Sequence, residues 1–168
     1  MFALFSFILR IQFHFAFPSH LLSRHFLAQT DLDHPADIIL HAWGLSWNQV
    51  LVELVLGISE YMVPRGSRTD VEKVSRDMEV ETGSDSEEVY NVLDEELFVF
   101  STELFVARRV DATRDAEQGQ IKLVCRGETF VLGEMEQGTE VKAITHHNMR
   151  IHRHADGEKS HVFVTLDI

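Results

Sequence analysis

The order of apolar and polar residues predicts two helices in this chain. After Gly44, Ser46 and Gln49 have the spacing of a capping box, and apolar residues then recur every three or four positions until Pro64. Residues three and four apart share a helical face, so this spacing predicts a helix with one buried stripe. The stripe consists of Val50, Leu51, Leu54, Val55, Ile58 and Tyr61 or Met62.

A second helix is predicted from residue 85 to residue 100, with Ser84 or Asp85 as its N-cap. The three consecutive acids at residues 94–96 point about 100° apart from one another around such a helix. They therefore cannot converge as a catalytic pair, and we expect them to form a solvated face. The buried stripe of this helix consists of Val89, Val92, Leu93, Leu97 and Phe100.

Other segments alternate between apolar and polar residues, which is the period of a strand with one buried face. The first of them starts at Asp37 and ends before Gly44, and a short strand is predicted over residues 77–82. Two helices and a run of strands joined by short turns predict an α+β fold, with an antiparallel or mixed sheet and both helices packed on one side of it. The remaining strands are predicted over residues 106–113, 120–126, 129–132, 140–145 and 162–166.

Residues 1–30 differ in composition from the rest of the chain, and we place a boundary after residue 30. They hold seven of the twelve Phe residues and no acidic residue. The apolar run at residues 2–9 is too short to span a membrane. A targeting segment, an alternative or mis-called first exon, and genuine domain structure are three open interpretations of this extension. Residues 31–168 are long enough for a single domain with its own core.

The net charge of −12 narrows the classes of partner. Tight binding to a phosphate backbone needs clustered Lys and Arg, so we expect a basic protein partner or a cation rather than direct binding to RNA, and no membrane partner. Cys125 is the only cysteine, which excludes an internal disulfide and fits a reducing compartment, the cytoplasm or the nucleus. We expect Cys125 to be a buried strand residue.

The residues that could carry chemistry are carboxylates, since the sequence has no phosphate-binding loop, nucleophile elbow or zinc-type cysteine spacing. Asp37 heads one predicted strand and Asp167 ends another, next to the carboxylate of Ile168. Such oxygen donors suit a hard cation such as Ca²⁺ or Mg²⁺, although Asp at a strand end is also a common turn former. His41 shares a face with Asp37 but lies about 13 Å away at roughly 3.3 Å per residue, so any partner of Asp37 must come from elsewhere in the fold.

Histidine provides an alternative metal site. Four His residues lie close together in the sequence, and the last two could share a strand face, which would suit Zn²⁺. Arginines are interspersed among them, so we favour a solvated, weakly basic strand and loop. The four residues are His146, His147, His152 and His154.

Several motifs resemble those of the archease family, the small proteins that assist the GTP-dependent RNA ligase of tRNA splicing. The similarity begins with Leu-Asp-His-Pro-Ala-Asp-Ile-Ile-Leu-His-Ala-Trp-Gly at residues 32–44. Its most specific piece is Gly-Thr-Glu-Val-Lys-Ala-Ile-Thr at residues 138–145. Val80-Glu81-Thr82, Leu93-Asp94-Glu95 and the segment 162–168 continue it with similar spacing, so the resemblance covers residues 32–168.

This resemblance implies a metal site and a protein partner. In archeases the residues that match Asp37, Asp167 and Ile168 hold a divalent cation, for which we expect Ca²⁺ first and Mg²⁺ or Mn²⁺ as substitutes. Lys142 and His34 are the residues for which the family motifs imply a role towards the partner, an RtcB-type RNA ligase. The chain would then be an accessory factor rather than an enzyme. It would promote guanylylation and repeated turnover of the ligase and would meet RNA only through it.

A second class of function stays open. Asp37 and Asp167 could hold the metal ion of a stand-alone hydrolase, with His34 as general base. Stimulation of ligase guanylylation would favour the accessory factor, whereas turnover of a phosphoester by this chain alone would favour the hydrolase.

Overall fold

The computed structural model describes residues 26–30, 37–65, 72–155 and 157–168, with side chains from residue 37 onward. Two helices and seven strands occur within these ranges. In chain order they are β1 (Phe26–Thr30), β2 (Asp37–Gly44), α1 (Trp47–Met62), β3 (Val74–Glu81), α2 (Asp85–Glu103), β4 (Phe105–Asp115), β5 (Gln120–Thr129), β6 (Ala143–His152) and β7 (Ser160–Asp167).

The strands form two antiparallel sheets. The four-stranded sheet has the order β1-β2-β7-β6, and the three-stranded sheet has the order β3-β5-β4. α1 contacts β2 and β4, and α2 contacts β6 and β3, so each helix packs against both sheets. Buried apolar side chains from the helices and from both sheets form one core cluster. The predicted α+β class with antiparallel strands is confirmed, and the strands divide between two sheets where one was expected.

β1 lies inside the segment that was assigned to an N-terminal extension. It pairs with β2 from Phe26 opposite Ala42 to Thr30 opposite Ile38. The boundary after residue 30 stays a prediction, since residues 1–25 and 31–36 lie outside the described residues.

α1 begins after Ser46, as the predicted capping box indicates. The amide of Gln49 donates to Ser46 Oγ at 3.2 Å. The reciprocal bond is shifted by one residue, because the amide of Leu45 rather than that of Ser46 donates to Gln49 Oε1, at 2.9 Å. The helix ends at Met62, so its predicted extent is confirmed.

α2 begins after Ser84, which forms a full capping box with Glu87. It continues to Glu103, three residues past the predicted end. The following residue, Leu104, adopts a left-handed conformation with a φ of 55°, which stops the helix.

The prediction of a solvated face at residues 94–96 is wrong for Glu96. This residue follows Val92 and Leu93 by four and three positions, so it shares their face of α2 and is fully buried. The hydroxyl of Ser59 on α1 donates to Glu96 Oε1 and accepts the amide of Ala107 at 3.2 Å. Loss of water around the carboxyl raises the pKa of Glu96 to about 8, so this side chain is predominantly neutral at pH 7.

Two predicted strands have different positions. A separate strand over residues 129–132 is not formed, because β5 itself continues to Thr129 and the chain then turns, with the amides of Glu134 and Met135 both donating to Val131 O at 3.1 Å. The strand predicted over residues 140–145 begins only at Ala143, since the segment before it is tied to the end of α1 through the Gly138 amide, which donates to Met62 O at 2.9 Å.

Cys125 is buried in β5, as predicted, and burial raises the pKa of its thiol. Within the described ranges, neither helix is both long and apolar enough to cross a membrane.

Candidate metal site

Asp37 and Asp167 lie directly opposite each other in the four-stranded sheet. β2 begins at Asp37 and β7 ends at Asp167, and the antiparallel register makes the two residues partners. Both are half-buried. Partners in adjacent antiparallel strands have Cβ atoms about 4.5–5.5 Å apart, so the two carboxylates share one small region at the end of the sheet. Asp167 is therefore the partner that Asp37 lacks within its own strand.

The third predicted ligand, Ile168, follows Asp167 at the same end of the sheet. Its side chain packs against the core cluster, which holds the last residue in place. Its main-chain oxygen accepts a hydrogen bond from Lys142 Nζ at 2.9 Å. The predicted cation ligands and Lys142 thus meet at one place.

Lys142 reaches this place through the backbone pairing of β6 with β7. Ala143, the first residue of β6, is the register partner of Asp167. The amide of Lys142 donates to Asp167 O at 2.9 Å, and its side chain is exposed.

The electrostatics of this site favour a cation. Within the described ranges, the carboxylates of Asp37 and Asp167 make no hydrogen bond or ion pair with a side chain or main-chain donor. Like charges that lie directly opposite each other destabilise a sheet. A divalent ion held by two carboxylates and a main-chain oxygen would offset this repulsion, and oxygen donors are the ligands that Ca²⁺, Mg²⁺ and Mn²⁺ prefer.

Side chains alone do not complete a metal site in the described part of the chain. No group of three or more His, Cys, Asp or Glu side chains there stands close enough to hold an ion. The third donor at Asp37 and Asp167 is the main-chain oxygen of Ile168, which belongs to none of those types. The remaining predicted functional residue, His34, lies outside the described residues, so its role as general base in the hydrolase alternative stays a prediction.

The zinc cluster suggested by the four neighbouring histidines is not formed. His146 stacks on Tyr90 of α2 with 4.5 Å between ring centroids. His152 meets the edge of the Phe163 ring at 6.2 Å, and His154 Nδ1 lies 3.2 Å from Glu158 Oε2. The spacing predicted a shared strand face for His152 and His154, but β6 ends at His152, so His154 lies beyond the strand.

A group of rings that the sequence did not reveal covers the same face of the four-stranded sheet, away from the core. His41 stacks on Phe163 with 4.0 Å between centroids, and its Nε2 lies 3.0 Å from Nδ1 of His161, which is hydrogen-bond distance. Trp43 packs beside His41, and the guanidinium of Arg150 lies over Phe163. Burial, then His161 and Arg150, lower the pKa of His41 to about 4, so this ring is neutral at pH 7. The alternation of residues 39, 41 and 43 predicted a shared face, but only the pairing of β2 with β7 supplies the partners.

The chain resembles proteins of one family along nearly its whole described length. The family model of the archease proteins matches residues 30–168. An archease-like protein of Drosophila melanogaster is 37% identical over 141 residues, which cover 82% of this chain and 88% of that protein. An archease of Danio rerio is 37% identical over 143 residues, which cover 82% of this chain and 83% of the relative.

The fold has a solved counterpart. The solution structure of protein 1598 of Methanobacterium thermoautotrophicum superposes with a TM-score of 0.70 at 25% sequence identity. The match covers 87% of this chain and all of that one.

Proposed function

Since this chain belongs to the archease protein family, we propose that it is an accessory factor that activates an RtcB-type RNA ligase in tRNA splicing and RNA repair. In this role it promotes guanylylation of the ligase and allows it to turn over repeatedly. The observation that carries the proposal is the register pairing of Asp37 with Asp167 beside the main-chain oxygen of Ile168, which brings the predicted cation ligands to one end of the four-stranded sheet.

Asp37, Asp167 and the main-chain oxygen of Ile168 would hold the divalent cation, with Ca²⁺ as the first choice and Mg²⁺ or Mn²⁺ as substitutes. When bound, the cation supplies positive charge that phosphate oxygens of GTP can approach. The remaining ligands of a six- to eight-coordinate Ca²⁺ would come from water or from the partner.

The chain acts on the ligase by favouring one of its conformations. An accessory protein shifts such an equilibrium only as far as it binds the two conformations with different affinity. An end of the sheet that carries two carboxylates and a cation is suited to a ligase pocket that binds GTP and metal. With a net charge of −12 on this chain, RNA is bound by the ligase and not by the activator.

The test is ligase guanylylation with GTP, measured with wild-type chain and with Asp37→Asn, which removes one charge and keeps the size of the side chain. We expect wild type to stimulate guanylylation and Asp37→Asn to fail even at saturating concentration. Asp77→Asn is the matched control, since Asp77 is an exposed strand residue of the other sheet, where it pairs with Lys122 at 2.9 Å. The control should stimulate like wild type.

Full stimulation by Asp37→Asn would contradict the proposal. Turnover of a phosphoester by this chain without the ligase would favour the hydrolase instead.

A further inference from the structure

The side chain of Lys142 donates a hydrogen bond to the main-chain oxygen of Ile168, which is also a proposed ligand of the cation. Lys142 Nζ lies 2.9 Å from the main-chain oxygen of Ile168, one of the three predicted ligands. A divalent cation bound to that oxygen would lie next to the ammonium, so the two positive charges would repel each other and compete for the lone pairs of the oxygen. Binding of the cation therefore favours movement of the ammonium away from it.

The backbone of Lys142 is fixed near the site, but its side chain can rotate away from it. The backbone of Lys142 is fixed, since its amide donates to Asp167 O at 2.9 Å and the next residue pairs with Asp167. The side chain is exposed and ends a flexible four-carbon stem. Rotation of that stem can carry the charge away from Ile168 without any change in the sheet.

The Lys142 ammonium also stabilises the site when no cation is bound. Asp37 and Asp167 face each other, and no hydrogen bond or ion pair to their carboxylates occurs within the described ranges. A positive charge at the adjacent Ile168 oxygen reduces the repulsion between these carboxylates.

We infer that Lys142 is a built-in counter-ion that competes with the divalent cation for the Ile168 oxygen and is released when the cation binds. The inference rests on the proposed metal site and adds its regulation. When the cation binds, the Lys142 ammonium is released from the Ile168 oxygen and becomes a free charged group next to the cation.

Two variants test the competition by calorimetric titration with Ca²⁺ of chelator-treated protein. Lys142→Gln removes the competing charge, so we expect about fivefold tighter Ca²⁺ binding, the scale of an exposed ion pair. Arg150→Gln is the control for the effect of removing any one positive charge from this sheet. It removes the same charge from the same sheet, but Arg150 lies over the Phe163 ring, not at Ile168. The control should bind Ca²⁺ like wild type.

A second measurement uses the wild-type chain. Acetylation of the Lys142 amine, followed by mass spectrometry, should be faster with saturating Ca²⁺ than with chelator, because the released amine has lost its hydrogen bond to Ile168. Lys159, an exposed lysine of the β6–β7 loop, is the internal reference and should react equally in both conditions.

The outcomes separate this inference from the proposed metal site. Wild-type protein that binds none of the three cations would overturn both. Wild-type protein that binds Ca²⁺, with Lys142→Gln binding equally or more weakly, would overturn the competition alone. Equal acetylation of Lys142 with and without Ca²⁺ would overturn the release step.

Discussion

Two carboxyl groups of this chain have opposite environments. Asp37 is half-buried at the end of the sheet, beside a second acid. Glu96 is fully buried between the helices, bonded to Ser59, and largely neutral at pH 7 because burial raises its pKa. The sequence indicated the importance of Asp37 through its resemblance to a family motif. The burial of Glu96 was not predicted from the sequence. Three consecutive acids favour a solvated face, although the helical spacing places Glu96 on the buried stripe.

Glu96 should make the stability of the protein decrease with rising pH. Its pKa is raised in the folded state from an ordinary value of 4.5 to about 8, so the folded state keeps a proton that the unfolded state loses. This contribution to stability is complete below about pH 4.5 and is lost as the pH rises through about 8. At about 1.4 kcal/mol for each unit of pKa, the loss is on the order of 5 kcal/mol.

Urea unfolding at pH 5 and pH 8.5 measures this effect in Glu96→Gln, whose amide is neutral at every pH and can still bond to Ser59. We expect the variant to lose much less stability between the two values than wild type does. Glu95→Gln, at the neighbouring and more exposed position, should keep the wild-type dependence. The same loss in Glu96→Gln and in wild type would show that Glu96 does not hold a proton in the folded protein.

The elements of the fold differ in how far local sequence defines them. Both helices were predicted with their N-caps, Ser46 and Ser84, because caps and apolar stripes are local signals. The division of the strands between two sheets was not predicted, since pairing depends on contacts between distant segments. The same holds for the candidate site, where spacing suggested Asp37 and Asp167 separately. The family resemblance joined them, and only the register of β2 with β7 places them opposite each other.

Gly138 determines the approach to β6, and its replacement tests that element. A Cβ at this position would lie 2.2 Å from Tyr61 O and 2.9 Å from Met62 O, main-chain atoms that cannot rotate away. The Gly138 amide also donates to Met62 O. Gly138→Ala should therefore destabilise the protein by about 2 kcal/mol or more, the usual range for an overpacked site. Urea unfolding measures this change in free energy.

Gly83→Ala is the matched control for that substitution. Its Cβ would approach Glu87 Oε2 at 2.7 Å, but this atom ends a flexible side chain and can move. We expect a cost clearly below that of Gly138→Ala. Equal stability of Gly138→Ala and wild type would mean that the segment before β6 does not approach α1 as described.

For the molecule as a whole, charge and topology both support the proposed class of partner, which is a folded protein. The chain carries a net charge of −12, which disfavours direct binding to RNA. Its four-stranded sheet ends in two facing carboxylates and Lys142, while a group of rings covers another part of the same face. A surface with acidic groups at one end and an aromatic patch is compatible with the proposed partner, a folded protein that supplies basic groups.

Calorimetric titration of chelator-treated protein with Ca²⁺ measures whether Asp37 and Asp167 together bind a divalent cation, as we propose. We predict one bound ion per chain in wild type, a loss of at least about tenfold in affinity in Asp37→Asn and in Asp167→Asn, and unchanged affinity in Asp77→Asn, because hard-ion affinity depends on the number of charged oxygen ligands. An ion that binds only the folded state should also stabilise wild type by about 2.7 kcal/mol at a hundredfold excess over its dissociation constant. Two results would contradict cation binding by Asp37 and Asp167. One is wild-type affinity for Ca²⁺ in Asp37→Asn and Asp167→Asn, and the other is a wild-type protein that binds none of Ca²⁺, Mg²⁺ and Mn²⁺.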